Sequence, residues 1–363
     1  MKKFLISGWQ IERRLAMGTV SEVFPASDSS SPDKEPVVIK RLLPIWRDEE
    51  DLVEAYAREG SLGEVLVHGN MPNIRETGVD DGVPFLVMDY VEGCSIEQLL
   101  GYTNSILPIA VSLGIIHEVA TALEHLHGLK GKDGKQLVRA HRDVTPRNVL
   151  LRRDGSVVLI DFGLVTGAVA GRQTATNVVK GTWRYAAPEQ LLGRDIGPTV
   201  DIYGLGALLY RMTTGKRPFE HVRELDDMRR VKEASALRPE GLSDDVVDLI
   251  EGMTQPLKVN RIQRMSEVVA ALEELELSSQ KVVSETIGHS VDEVLRLELE
   301  KEEGRESFQS AEERDEDVTD PSTTSDITRM EDGGSYATDE SLDSWVVWVT
   351  ILTLLAALLA VSF

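Results

Sequence analysis

The feature that most constrains what this chain can fold into is a set of polar residues on either side of a short predicted hairpin. Residues 141–148 read HRDVTPRN, and Asp161 begins the motif DFG 18 residues after Asp143. The segment between them, VLLRRDGSVVLI, has two apolar strands joined by the dipeptide DG, which favours a tight turn. The spacing therefore predicts that Asp143, Asn148 and Asp161 lie together at one edge of a hairpin.

Two carboxylates and an amide in this arrangement suit phosphoryl transfer from ATP. The reaction needs a carboxylate that accepts the proton of the attacking hydroxyl. It also needs oxygen ligands for the Mg²⁺ or Mn²⁺ that neutralises the phosphates. A single HRD or DFG occurs by chance, whereas their order and spacing together do not. The pattern therefore indicates a phosphotransferase, with coincidence as the alternative.

With these motifs the chain resembles the bacterial eukaryotic-like (Hanks-type) serine/threonine protein kinases, with a remote aminoglycoside-type phosphotransferase as the alternative. The resemblance implies an α+β fold of two lobes, a β-rich N-lobe at 8–88 and a helical C-lobe at 89–276, with ATP between them. It implies that Asp143 aligns the attacking hydroxyl and that Asn148 and Asp161 hold the metal ion. The substrates would be proteins that present Ser or Thr hydroxyls.

The same resemblance assigns the nucleotide site. Lys40, in the strand VVIK, would contact the α- and β-phosphates and be held by Glu59, with Glu64 as the alternative partner. Met88 would be the gatekeeper residue, and the backbone that follows it would face adenine. The full set of residues expected to bind ATP is Leu15, Ala16, Met17, Gly18, Val23, Lys40, Met88, Asp89 and Val91.

Further residues are given supporting roles by the resemblance. Asp201, in VDIYGLGALLY, would brace the catalytic loop, and Glu189, in the motif APE, would pair with Arg261. Thr182, in GTWRY, would bond to the catalytic Asp143, as threonine does in Ser/Thr kinases. Tyrosine or dual specificity stays open as the alternative.

Two departures from the family pattern bear on activity. The glycine-rich loop reads AMGTVSEV from residue 16, so only the middle glycine, Gly18, is kept, and weaker ATP binding is expected. Thr145 stands where Ser/Thr kinases usually place a lysine that contacts the γ-phosphate, and Arg147 is a candidate replacement cation. The alternative interpretation is a pseudokinase that serves as a membrane-tethered binding scaffold.

Phosphorylation of the activation segment is a further expectation. Arg142 precedes Asp143, an arrangement that in the family lets a phosphate order the segment through a charge-assisted ion pair. Thr174 and Thr176 lie in the segment 162–180 and are the candidate phosphorylation sites. The alternative is that these threonines only face solvent.

The charge distribution predicts a tail outside the catalytic domain. The chain carries a net charge of −22, and residues 281–344 alone hold 20 acidic and 6 basic residues. Because so few apolar side chains cannot offset the entropy of ordering, 277–344 is expected to be a mostly disordered linker with a helix only at 291–303. The run PSTTSD at 321–326 would dock partners once phosphorylated, although a plain spacer is the preferred interpretation.

The C-terminal segment is apolar enough to cross a membrane. Residues 345–363 carry no charge and as a helix would span about 28 Å, close to the roughly 30 Å of a bilayer core. Tryptophans at the first and fourth positions favour the membrane interface. A single-pass anchor in the cell membrane is therefore expected, with the kinase domain in the cytoplasm, where ATP is. A buried core helix is the alternative, and a face of three alanines leaves a homodimer open.

Composition argues against three other kinds of site or partner. The strongly acidic chain does not suit a nucleic-acid partner, whose binding surface would be basic. Cys94 is the single cysteine, so it cannot form an internal disulfide and is expected to be a buried thiol. His68, His117, His125 and His127 lack the spacing of a structural metal site.

Overall fold

The computed structural model describes residues 4–30, 35–63, 65–103, 106–131, 134–161, 182–275 and 280–316. Residues 1–291 belong to one compact unit and 292–363 to a second. The first unit consists of a β-sheet lobe followed by a helical lobe. The two-lobed α+β architecture expected from the sequence is therefore confirmed.

A seven-stranded antiparallel sheet makes up the N-lobe. Its strands are β1 (Phe4–Ile6), β2 (Trp9–Ile11), β3 (Ala16–Met17), β4 (Ser21–Asp28), β5 (Val37–Leu42), β6 (Ile74–Asp80) and β7 (Val83–Asp89). The order across the sheet is β1-β2-β4-β5-β7-β6, and β3 pairs with β4. Valine, isoleucine and phenylalanine are frequent in β5 and β7, and such side chains pack well on a pleated, buried surface.

The sheet begins before the predicted start of the N-lobe at residue 8. Strands β1 and β2 form a hairpin whose turn residues, Ser7 and Gly8, have φ values of 46° and 92°. Glycine adopts positive φ without strain, so it suits this two-residue turn. The predicted boundary falls inside the hairpin because the apolar run at 4–6 is too short to identify as a strand by its pattern, yet Ile6 is fully buried.

Helix α1 (Glu50–Leu62) lies against the N-lobe sheet. Two acidic residues in its first turn interact favourably with the positive end of the helix dipole. Its buried face includes Tyr56 and Glu59 and packs on β6 and β7. Gly60 permits this close packing, because a Cβ at that position would lie only 2.5 Å from Cγ2 of Thr77. The short distance between helix and sheet brings Glu59 within reach of the strand β5.

The C-lobe is helical. Its helices up to residue 275 are α2 (Ile96–Thr103), α3 (Ile109–Gly128), α4 (Pro188–Leu191), α5 (Thr199–Thr214), α6 (Leu225–Ala234), α7 (Asp244–Met253) and α8 (Met265–Glu274). Helix α3 packs on α5 and α8 and forms the centre of the lobe. Within the described ranges α3 is the one helix long and apolar enough to cross a membrane, and it is mostly buried as a core helix. The predicted membrane segment, 345–363, and linker residues 317–344 lie outside the described residues.

A second, three-stranded sheet contains the hairpin predicted from the sequence. It consists of β8 (Gly93–Ser95), β9 (Val149–Arg152) and β10 (Val157–Leu159) in the order β10-β9-β8. The hairpin β9–β10 turns at Gly155, whose φ is 80°, as the DG pair predicts. The backbone N–H of Ile160 donates to the carbonyl of Asn148 at 2.8 Å, which extends the ladder to the two ends of the hairpin.

The helix that follows the C-lobe is longer than the sequence predicts. Helix α9 (Gln280–Glu316) is continuous over 37 residues, whereas a helix was expected only at 291–303 within a mostly disordered linker. Its first three turns bury Val283, Ile287 and Val291, which are spaced four residues apart. The predicted bounds of the helix were wrong because net charge averages over the whole segment, while these three side chains form one apolar stripe.

Candidate active site

The centre of the site is an ion-pair chain that begins at Lys40. Lys40 lies in β5, opposite Val23 of β4 on one side and Leu86 of β7 on the other. Its Nζ donates to Oε1 of Glu59 at 2.8 Å and also contacts Oδ1 of Asp161. The Lys40–Glu59 pair predicted from the sequence is therefore present, and Lys40 connects α1 to the segment that follows the β9–β10 hairpin.

Lys40 stays charged although it is buried. Burial by itself lowers the pKa of Lys40, but the carboxylates of Asp161 and Glu59 outweigh it and raise that pKa well above its ordinary value. For Asp161, burial favours the neutral acid, yet the Lys40 ammonium outweighs it and the pKa of Asp161 is lowered. The site thus holds a cation for phosphate next to an ionised carboxylate for a metal ion.

Asp143 and Asn148 are held together at the start of the hairpin. Asn148 Nδ2 donates to the backbone carbonyl of Asp143 at 2.9 Å and to its Oδ2 at 2.8 Å. Burial and the neighbouring Asp161 carboxylate raise the pKa of Asp143 to about 7, and the Asn148 hydrogen bond partly offsets them. A carboxylate with a pKa near neutrality is suited to accept a proton from a hydroxyl.

Asp201 holds the start of the HRD loop, as predicted. Asp201 accepts hydrogen bonds from the backbone N–H groups of His141 and Arg142, each at 2.7 Å. His127 Nε2 lies 2.7 Å from Oδ2 of Asp201, so it carries the hydrogen, because a carboxylate can only accept. Arg142 has a φ of 74°, a strained value for a residue with a side chain, and these bonds hold it there.

The residues predicted to face adenine lie at the end of β7 and just after it. Met88 is buried at the end of β7, and Asp89 follows it with its backbone N–H bonded to the carbonyl of Asn73 at 3.1 Å. Asp89 also pairs with Val37 at the end of the β5–β7 ladder.

The degenerate glycine loop forms a tight turn over Lys40. Leu15 and Met17 are more than half exposed, and the backbone N–H of Leu15 donates to the carbonyl of Val23 at 2.8 Å. Ala16 pairs with Val23, which in turn pairs with Lys40 in the sheet. The predicted phosphate-binding loop thus lies in register above the lysine.

Gly18 and Ser21 close this turn with a backbone hydrogen bond of 2.7 Å. A Cβ on Gly18 would meet the carbonyl oxygen and Oγ of Ser21 at 3.5 and 3.9 Å, which are ordinary contacts. The local fold therefore does not require glycine at this position, and the requirement would come from a ligand's phosphates.

The APE motif is locked to the C-lobe. Arg261 donates to Oε1 and Oε2 of Glu189 at 2.8 and 3.1 Å, and both partners are buried. Arg261 also donates to the carbonyl of Thr199 at 2.7 Å. The predicted pair is present despite the unusual sequence around Arg261. Gln190 adds a link that the sequence did not reveal, since its Nε2 donates to the carbonyl of Arg142 at 2.9 Å.

Two buried cations next to this motif were also missed. Lys232, fully buried in α6, donates to the carbonyls of Arg184 and Ala186 at 2.8 and 2.6 Å. Arg184 Nη2 donates to the carbonyl of Val222 at 2.8 Å. Burial lowers the pKa of Lys232 well below its usual value. No sequence signal marks these residues, because a lysine in an amphipathic helix ordinarily faces solvent.

Several predicted residues lie outside the described parts of the chain. They are Glu64, Thr174, Thr176, Phe162 and Gly163, together with the side chain of Thr182.

Three other expectations concern described residues. Thr145 is buried, whereas Arg147 is exposed and its charge tends to lower the pKa of Asp143. Cys94 is fully buried in β8, as expected. Among described residues no group of three or more His, Cys, Asp or Glu could hold a metal by itself.

The donor set fits a Mg²⁺ ion that is shared with phosphates. Asn148 uses its Nδ2 on Asp143, and its Oδ1 is the neutral oxygen that would bind the metal ion. Asp161 supplies an ionised carboxylate. Mg²⁺ is usually bound by one or two carboxylates with waters and substrate phosphates. Asn148 and Asp161 therefore meet the requirement for a metal held mainly by its nucleotide.

Comparisons with known proteins agree with this geometry. The family model described as "Protein kinase domain" matches residues 9–274, more than half of the chain. The chain is 32% identical over 245 residues to "Tyrosine-protein kinase MasK" of Myxococcus xanthus, covering 66% of this chain and 38% of that protein. It is 32% identical over 216 residues to "Serine/threonine-protein kinase PrkC" of Bacillus subtilis, covering 59% and 32%.

For a third relative, the match with this chain covers a larger share of the relative's length. "Serine/threonine-protein kinase PknA" of Mycobacterium tuberculosis is 30% identical over 251 residues, covering 67% of this chain and 55% of that protein. The chain thus spans between about a third and just over half of the length of these relatives.

Solved structures show the same fold. The crystal structure of the Mycobacterium tuberculosis PknI kinase domain superimposes with a TM-score of 0.55 at 22% identity, covering 76% of this chain and 98% of that one. The matched segment contains the Lys40–Glu59 pair and the aspartates of the HRD and DFG motifs, Asp143 and Asp161. The chain therefore belongs to the protein kinase family, whose members use ATP and a divalent metal ion.

Proposed function

We propose that this protein transfers the γ-phosphate of ATP to Ser or Thr hydroxyls of other proteins. The observation that carries the proposal is the unbroken chain of contacts from Glu59 through Lys40 to Asp161, with Asp143 and Asn148 bonded to each other beside it. Protein kinases need both the Lys–Glu ion pair and the metal-binding aspartate in place before they can act. This chain has both together.

Each residue has a role that its surroundings support. Lys40, fixed by Glu59, orients the α- and β-phosphates, and the loop around Gly18, which lies in register with Lys40 in the sheet, covers them. Asp143 aligns the attacking hydroxyl and accepts its proton at a carboxylate oxygen. Mg²⁺ or Mn²⁺ held by Asn148 and Asp161 supplies positive charge for the transferring phosphate.

The first test is transfer of labelled γ-phosphate from ATP by the full chain, beside Asp161→Asn, followed by phosphoamino-acid analysis. We expect label on Ser and Thr that disappears in the variant. Label confined to tyrosine would overturn the Ser/Thr assignment, an outcome made concrete by the similarity to a relative named as a tyrosine-protein kinase. ATP binding without any transfer would favour the pseudokinase scaffold, which the loop residues Ala16 and Ser21 and the missing lysine at Thr145 motivate.

We also propose that phosphorylation of Thr174 or Thr176 activates the enzyme. Supporting this, the buried Nε of Arg142 has no acceptor among the described residues. Burial lowers the pKa of Arg142, the Asp201 carboxylate opposes that effect, and the charges of Arg139 and Arg58 lower the pKa further because the three cations repel one another. A phosphate dianion would relieve that repulsion.

The activation proposal is tested by mass spectrometry of active protein and by replacing both threonines with alanine. We expect phosphate on at least one of them and a slower enzyme after the double replacement. Arg142→Gln should then make the enzyme insensitive to that replacement. Active protein without either phosphate would contradict the proposal.

A membrane anchor at 345–363 completes the proposed function, with the catalytic domain on the cytoplasmic side. Its support is the uncharged, apolar composition of that segment with tryptophans at its start. Fractionation of cells that express the chain with and without 345–363 tests it. Protein that pellets with membranes only when the segment is present would support the anchor, and equal solubility of both forms would overturn it.

A further inference from the structure

Helix α9 packs on the hairpin that carries the metal-binding residues. Its apolar stripe, Val283, Ile287 and Val291, is 7, 2 and 0% exposed. Val283 lies against α3, since a Cβ on Gly114 would be only 2.7 Å from Cγ1 of Val283. The start of the helix is therefore part of the C-lobe core, and its contacts extend to the turn between β9 and β10.

Two glycines allow backbone-to-backbone contact between the helix and the hairpin. A Cβ on Gly155, at the hairpin turn, would overlap the backbone of Ser284. A Cβ on Gly288, one turn further along the helix, would overlap the carbonyl oxygen of Arg153. Both partners thus lack a side chain where they meet, and neither backbone could approach so closely with any larger residue.

The two ends of the hairpin are joined directly to Asn148 and to the segment that contains Asp161. β9 starts immediately after Asn148, and β10 ends two residues before Asp161. The ladder pairs Val149 with Leu159, and the Ile160–Asn148 hydrogen bond closes its open end. A paired strand of four residues is a stiff element about 13 Å long. Movement at the turn therefore changes the separation or direction of Asn148 and Asp161.

We propose that Gly155 and Gly288 are positioning residues for phosphoryl transfer, and that docking of α9 on the hairpin holds Asn148 and Asp161 at the spacing the metal requires. This rests on the proposed kinase function. Displacement of ligands by about 1 Å can lower a rate on the order of 100-fold. Loosening the contact should thus impair both turnover and use of the metal.

The test is Gly288→Ala in the full chain, measured as kcat over a range of Mg²⁺ concentrations at saturating ATP. Alanine is the better helix former, so any loss comes from the clash with Arg153 and not from helix propensity. We expect kcat to fall about tenfold or more and half-saturation to need several times more Mg²⁺. Gly101→Ala, in a helix where a Cβ meets open space, and His289→Ala, exposed beside Gly288, serve as matched controls and should leave both values unchanged.

A second variant covers the case in which Gly288→Ala does not fold. Ile287→Ala removes apolar contact from the same docked turn without creating a clash. Activity is normalised to the folded fraction in both variants. A loss of stability with wild-type kcat and wild-type Mg²⁺ half-saturation would overturn the proposal, and so would a rise in kcat. An inactive wild-type chain would instead refute the proposed kinase function, so the two failures are distinguishable.

Discussion

Replacing Asp201 with asparagine should both destabilise this kinase and slow it. The carboxylate receives two backbone hydrogen bonds, from His141 and Arg142, and a third from His127, all at 2.7 Å. Asp201 is 1% exposed, so water cannot replace any of them. An asparagine amide keeps one oxygen acceptor, and its NH₂ group would face at least one of these donors.

The cost follows from the hydrogen bonds that are lost. A hydrogen bond to a charged group contributes about 1.5–3 kcal/mol, and a buried donor left without a partner costs about 1–3 kcal/mol. With one bond lost and one donor stranded, we expect Asp201→Asn to lower the free energy of unfolding by about 3–5 kcal/mol. That is a large part of the roughly 5–15 kcal/mol that stabilises a typical domain.

Urea unfolding followed by tryptophan fluorescence measures this change. Asp195→Asn is the matched control: Asp195 is 70% exposed and contacts Arg139 and Lys258 only as surface ion pairs, so its replacement should cost less than about 1 kcal/mol. A loss under about 1 kcal/mol for Asp201→Asn would refute the reasoning about its buried hydrogen bonds.

Turnover provides the second readout for the same variant. Without the Asp201 carboxylate, Arg142 is free to leave its strained φ of 74°, and the adjacent Asp143 moves with it. We expect kcat to fall on the order of 100-fold under conditions where the variant is folded. An unchanged kcat in folded protein would show that Asp201 stabilises the lobe without positioning the catalytic loop.

Three further predictions follow from the site. The folded state raises the pKa of Asp143 from 3.8 to about 7, so its ionised form destabilises the metal-free protein increasingly from pH 4 to pH 7. Asp143→Asn should therefore abolish transfer, yet stabilise the fold by about 1–3 kcal/mol at pH 8 and hardly at pH 4. Thermal unfolding in EDTA at the two pH values would show this difference. Lys40→Met should abolish transfer and lower the free energy of unfolding by about 3–5 kcal/mol, because it leaves Glu59 buried and unpaired. Adding Glu59→Leu should restore stability but not activity. Recovery of activity in the double variant would contradict the assigned role of Lys40. Arg261→Lys should cost about 3 kcal/mol in urea unfolding, because lysine cannot make the two-pronged contact with Glu189, and a neutral result would mean that charge alone suffices.

The catalytic centre was accessible from the sequence because its residues are local. Asp143, Asn148 and Asp161 are tied to one hairpin, and the DG turn fixes how its ends meet. Lys40 was identified by its strand motif, and Glu59 by its place on the following helix. The structure adds the distances, the order of contacts and the effect of burial on each pKa.

The residues that were missed act over long sequence separations. His127 meets Asp201 from 74 positions away, and Lys232 meets Arg184 from 48. Such pairs have no local pattern, because the side chains are brought together only when α3, α5 and α6 pack. Gln190 is close to the APE motif in sequence, but its link to the catalytic loop also depends on that packing.

The tail shows most clearly which features the sequence indicates and which depend on packing. Spacing, motif order and charge are properties of the chain, so the amino-acid sequence alone indicates the protein kinase family, the candidate catalytic residues and the acidic character of the segment after the C-lobe. The start of α9 at Gln280 and its contact with the β9–β10 hairpin are seen only in the folded chain. That contact depends on glycines at 155 and 288, whose missing side chains carry no signal until the two backbones are brought together.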